Sequence, residues 1–99
     1  MAEDGNASED WFVKGNELLL QGQLEEAAAA YDLFLLNDSE NVAALSNKAA
    51  ALTLMARFEE AIDLCDRALE INSEYALAWS TKGDALAGLG KFDESVSAY

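Results

Sequence analysis

Histidine and proline are absent from this chain of 99 residues, cysteine occurs once, and 6 basic residues face 19 acidic ones. Each shortage removes a class of function. Without histidine there is no Ser-His-Asp arrangement, no histidine metal site and no ordinary general base. Cys65 has no second cysteine for a disulfide and nothing to activate its thiol, so it reads as a small core residue in a reducing compartment. A net charge of −13 leaves no basic stripe to meet phosphates, which argues against nucleic acid and against an anionic membrane surface. No apolar run approaches the roughly 20 residues of a spanning helix. Residues 1–10 lack the positive start and apolar run of a signal peptide. No glycine-rich phosphate loop is present, because Gly88, Leu89 and Gly90 end a helical pattern. No close-spaced carboxylate loop suits calcium. The expectation is a cytoplasmic, soluble, single-domain protein that is not an enzyme, with no catalytic residue, metal or cofactor.

The abundant residues are alanine, leucine and glutamate, in a pattern that repeats every 34 residues. Trp11, Leu45 and Trp79 open each unit, and Lys14, Lys48 and Lys82 come next in register. Gly15, Ala49 and Gly83 form a small-residue column, with Leu18, Leu52 and Leu86 after it. Gly22, Ala56 and Gly90 are next, then Leu24, Phe58 and Phe92, and then the acidic pairs Glu25-Glu26, Glu59-Glu60 and Asp93-Glu94. Ala27, Ala61 and Ser95 continue the frame, and Tyr31, Cys65 and Tyr99 close it.

Each unit reads as two helices. Leu45, Ala49 and Leu52 share one helical face, as do Phe58, Ala61, Ile62, Cys65, Ala68 and Leu69. Gly22, Ala56 and Gly90 mark the turns between them. Acidic pairs in the first turn of each second helix complement its dipole. Asn37 to Asn41 and Asn72-Ser73 are polar breaks able to cap the next helix in each case. The expected helices are 9–21, 24–36, 42–55, 58–71, 76–89 and 92 onward, after a disordered lead of residues 1–7. The small column allows the two helices of a hairpin to cross closely.

These columns resemble the tetratricopeptide repeat family, over residues 8–99: whole units at 8–41 and 42–75 and a partial one at 76–99. The resemblance implies an all-α fold of antiparallel helix hairpins stacked as a right-handed superhelical solenoid. It also implies a protein-interaction scaffold whose concave groove takes a peptide or a partner's helix. The chain departs from the family at Ser39 and Ser73, where proline is usual, and at Phe34, where a small residue is usual. It ends inside the third unit's second helix, which implies a fragment of a longer array or an open C-terminal end, near Phe92 and Tyr99, that self-associates.

Carrying the family's groove over to the first helix of each unit points to Phe12, Val13, Asn16, Leu20, Ser46, Asn47, Ala50, Thr53, Ser80, Thr81 and Asp84 as ligand-facing residues. Asn16 and Asn47 match two polar contacts of the subclass that clamps a chaperone's C-terminal carboxylate. The basic members of that clamp are missing, since Phe12, Leu77 and Thr81 stand in their places. A carboxylate without cations in an acidic protein loses its main attraction, so a working clamp is not expected. The three column lysines are expected to pack their stems along apolar neighbours, with ammonium groups in solvent and Asp10 within reach of Lys14.

Overall fold

The computed structural model describes the backbone of residues 7–90 and the side chains of residues 11–90. Five helices run in order: α1 (Ala7–Leu20), α2 (Leu24–Leu35), α3 (Val42–Leu54), α4 (Phe58–Ile71) and α5 (Ala76–Gly88). No strand occurs among the described residues. The helix expected from residue 92, with its end at Phe92 and Tyr99, lies outside them, as do residues 1–6 of the expected lead.

The hairpin turns have one chemistry. Gly22, Ala56 and Gly90 all take left-handed dihedrals, with φ of 79°, 65° and 81°. At the first turn the Gln23 amide donates to the Leu18 carbonyl at 2.9 Å and the Gly22 amide to Leu19 at 3.0 Å. The second turn repeats the pattern, with Arg57 on Leu52 at 2.8 Å and Ala56 on Thr53 at 3.0 Å. These are Schellman closures, which satisfy the orphan carbonyls of α1 and α3. Ala56 is the one position of the three where a Cβ bears the left-handed strain. Ala56→Gly is expected to stabilise the chain by about 0.5–1 kcal/mol, the relief of strain exceeding the added entropy of the unfolded chain. A higher urea midpoint at unchanged slope is the check; a lower midpoint contradicts it.

The turns between units are capped differently. Asn41 caps α3, its Oδ1 accepting from the Ala44 amide at 3.0 Å. The cap expected from Asn72-Ser73 does not form, because α5 begins after Tyr75 with no side-chain cap. Asn72 Oδ1 instead accepts from the Glu74 amide within the turn. The Trp79 indole Nε1–H donates to the Ser73 carbonyl at 2.8 Å, which ties α5 back to that turn.

Helix α3 packs against α2, α4, α1 and α5. Leu45 with Ala68 and Ala78, and Ala49 with Leu52, Ala61, Cys65 and Ala85, form clusters that each draw on α3, α4 and α5. The second hairpin thus shares its core with α5, and Leu35 of α2 packs against the cluster of Leu45. Phe34 is buried, 5.3 Å between ring centroids from Phe12, so its bulk is absorbed within the first hairpin.

The stack has two unlike walls. First helices α1, α3 and α5 touch in sequence, whereas α2 and α4 make no close approach to each other. A layer whose helices touch while the opposite layer splays is the inside of a curve. The first helices therefore form the concave wall, and α2 and α4 the convex one.

Candidate functional site

One face of each first helix points to the inside of the curve. Val13, Asn16 and Leu20 stand at i, i+3 and i+7 on α1, and Asn47, Ala50 and Leu54 hold the same places on α3. Thr81, Asp84 and Gly88 hold these places on α5, where Thr81 is enclosed, Gly88 lies against the Phe58 ring of α4, and Asp84 stays exposed. The α1 and α3 faces are joined directly, the Asn47 amide donating to Asn16 Oδ1 at 3.1 Å. The Tyr31 hydroxyl donates to the same oxygen at 2.5 Å. Burial pushes the Tyr31 hydroxyl above its ordinary pKa, and the polar side chain of Asn47 beside it opposes that. Asn16 Oδ1 thus joins α2 and α3 to α1 by accepting from both.

Along this face apolar side chains stand in water. Leu20 is 88% exposed, Leu54 66% and Val13 53%, and Leu77 is partly exposed at the start of α5. Single exposed leucines are ordinary, but Leu20 and Leu54 are one repeat apart and occupy the same place on adjacent helices.

The structure places the expected groove residues unevenly. Val13, Asn16, Leu20, Asn47, Ala50, Thr53, Ser80 and Asp84 keep exposed or half-buried surface. Ser46 does not, being fully enclosed with no hydrogen-bond partner for its hydroxyl. Thr81 is also enclosed, at 5% exposure. Phe12 turns toward α2, with ring centroids 6.1 Å from Tyr31 and 5.3 Å from Phe34. Thr53 bonds its own helix, its hydroxyl donating to the Ala49 carbonyl at 2.8 Å. Ser46 and Thr81 are thus taken out of the groove by enclosure, and the half-buried Phe12 leans on its hairpin partner α2. Leu54 and Leu77 join the face without being among the expected residues; the 34-residue offset between Leu20 and Leu54 is the signal that finds the former.

The lysine column is explained by charge partners. Lys48 Nζ lies 2.5 Å from Asp32 Oδ1, and Lys82 Nζ lies 2.8 Å from Asp66 Oδ1. Both bridges run from a second helix to the next unit's first helix, so these ammonium groups are held on the convex side. Lys48 and Lys82 are half-buried, with their ammonium groups paired to half-exposed carboxylates, and Lys14 is exposed. The pairing expected between Lys14 and Asp10 lies outside the described side chains.

The convex wall carries most of the acid. Glu25, Glu26 and Asp32 stand on α2, and Glu59, Glu60, Asp63, Asp66 and Glu70 on α4. Between these helices lies an open cleft of about 560 Å³ over Leu52 and Leu64. Its basic groups are engaged: Lys48 with Asp32, Arg57 with Glu25 at 3.6 Å, and Arg67 with the Ser39 carbonyl at 3.2 Å.

Cys65 is fully enclosed. Burial, and then the adjacent Asp66 charge, push its thiol up to about 12, with Lys82 opposing. Native protein at pH 8 is expected to resist a thiol reagent such as dithionitrobenzoate, and labelling to follow the unfolded fraction as urea is added. Rapid labelling without denaturant would contradict this placement.

Among the described residues no helix is long and apolar enough to cross a membrane. No group of three His, Cys, Asp or Glu gathers there to hold a metal ion.

The tetratricopeptide repeat family model matches residues 42–75. No curated protein matches the chain. Solved structures do match. The first TPR of Spaghetti (RPAP3) bound to HSP90 peptide SRMEEVD is 29% identical with a TM-score of 0.89, over 97% of this chain and 76% of that one. The Arabidopsis OM64 TPR domain is 26% identical with a TM-score of 0.90, over 94% of this chain and 77% of that one. The TPR2B domain of yeast Sti1, in a complex with pHsp70, is 25% identical with a TM-score of 0.88, over 93% of this chain and 74% of that one. With paired helices, left-handed hairpin turns and a curved two-walled stack, the chain has the tetratricopeptide-repeat fold, and residues 42–75 carry the family's repeat.

Proposed function

We infer that the chain is a protein-interaction scaffold that holds a peptide or partner segment against its concave wall. The observation that carries this is the row of exposed apolar side chains, Leu20 and Leu54 with Val13, beside the joined amides of Asn16 and Asn47. Apolar anchors with a few fixed polar groups are what a peptide groove requires. Two similar domains support the reading, that of Spaghetti with an HSP90 peptide and that of yeast Sti1 with pHsp70. We take residues 8–99 as the working domain and Val13, Asn16, Leu20, Asn47, Ala50, Leu54, Leu77, Ser80 and Asp84 as the contact surface. A cytoplasmic setting is consistent with the single thiol.

The test is a random peptide library selected on the immobilised protein, followed by NMR titration with the selected peptides. Amide shifts centred on Leu20, Asn47 and Leu54 support the reading. Shifts centred on Ala29 and Asp63 of the convex wall, or failure to select any peptide, would overturn it.

A further inference from the structure

The two walls differ in charge as well as curvature, and the difference specifies a partner. Of the acidic side chains described on the five helices, eight stand on second helices and two, Glu17 and Asp84, on first helices. The concave face has no cation among its described residues. Lys48 and Lys82, on the first helices, are drawn to Asp32 and Asp66 across the unit boundary. The three places where a basic residue would meet a carboxylate hold the packed ring of Phe12, the enclosed Thr81 and the apolar Leu77. A ligand approaching this face meets apolar anchors and amides within the field of a chain of net charge −13.

Spacing adds a second constraint. Leu20 and Leu54 are equivalent positions on adjacent helices, and packed helix axes lie about 8–10 Å apart. One heptad of a helix advances about 10.5 Å, which brings side chains at i and i+7 onto both leucines.

We propose that the concave face selects an amphipathic helical segment of net positive charge, with apolar side chains seven residues apart, and rejects acidic C-terminal tails. This rests on the groove reading above and adds the partner's chemistry. Like charge opposes the tail and nothing on the face compensates it. A basic segment gains from the field at every approach, and its apolar residues cover Leu20 and Leu54.

The test uses the full chain and four labelled peptides, read by fluorescence anisotropy and mapped by NMR. Three share one helical pattern with leucines seven apart and carry net positive, zero or negative charge. The fourth is SRMEEVD. The basic peptide is expected to bind the face of Leu20, Asn47 and Leu54 at least about tenfold more tightly than the neutral one. The gap should close at high salt. The acidic peptides are expected to bind at least about a hundredfold more weakly than the basic one. The exposed double variant Leu20→Ser/Leu54→Ser should lose basic-peptide binding with its circular dichroism unchanged. Equal affinity for all charges at this face would overturn the charge selection and leave the groove standing. SRMEEVD binding there as tightly as the basic peptide would do the same. A basic peptide that maps to the cleft between α2 and α4 would overturn the proposal and place the site on the other wall. Binding by none of the four would overturn the proposal alone if the selected library peptides still map to the groove, and both readings if they do not. Sedimentation showing a dimer that the basic peptide cannot displace would assign the face to a second copy and overturn the proposal.

Discussion

Tyr31→Ala is expected to remove about 3–5 kcal/mol of stability, a large share of the roughly 5–15 kcal/mol available to a domain. The ring is the largest side chain among those fully enclosed. It fills the crossing of α1 and α2, lies 6.1 Å from the Phe12 ring and carries the hydroxyl that donates to Asn16. Truncation leaves a cavity and removes that bond from the joined asparagines. Tyr31→Phe keeps the ring, and Asn16 Oδ1 keeps its bond from Asn47, so this change should cost only about 1 kcal/mol. Urea denaturation of both variants gives the comparison. A similar small loss for both would mean that the ring is not holding the hairpin together.

Gly15→Leu should cost about 1–3 kcal/mol by overpacking the same crossing from the other side. A Cβ built on Gly15 would lie 2.7 Å from the Tyr31 ring, closer than real contacts allow, and Gly15 sits inside α1 with no unusual dihedral to require glycine. The second unit solves the problem differently, with Ala49 in the glycine's place and Cys65 in the tyrosine's, both fully buried in one cluster. Small opposite large has become medium opposite medium. The pair Gly15→Ala and Tyr31→Cys should therefore be coupled, the glycine change costing less once the ring is gone, with an interaction of about 0.5–3 kcal/mol in a double-mutant cycle. Strict additivity would show that the two columns do not touch in solution.

The same columns show what is legible in the sequence. Five helices are readable because the 34-residue frame repeats local instructions: left-handed residues at Gly22 and Ala56, acidic first turns, apolar residues three and four apart. The orientation of the first helices is less so. Adjacent residues on a helix differ by about 100° in direction, which separates Thr53, bonded to its own helix, from Leu54, exposed on the concave face. Ser46 and Thr81 are polar by composition, yet tertiary packing encloses them. Lys48 and Lys82 escape a sequence reading for a different reason. Their aspartates lie 16 residues earlier, on another helix, where no local periodicity connects them.

The uneven charge of the two walls also gives the stack an elastic character. Glu25 and Asp32 on α2 are tied across the unit boundary to Arg57 and Lys48, so charge pairing draws the outer arc together over its open gap. Counter-ions that shrink the Debye length from about 10 Å to about 3 Å slacken those ties. The width of the groove thus becomes a function of ionic strength, and the array acts as a spring clasped along its outer arc by ion pairs.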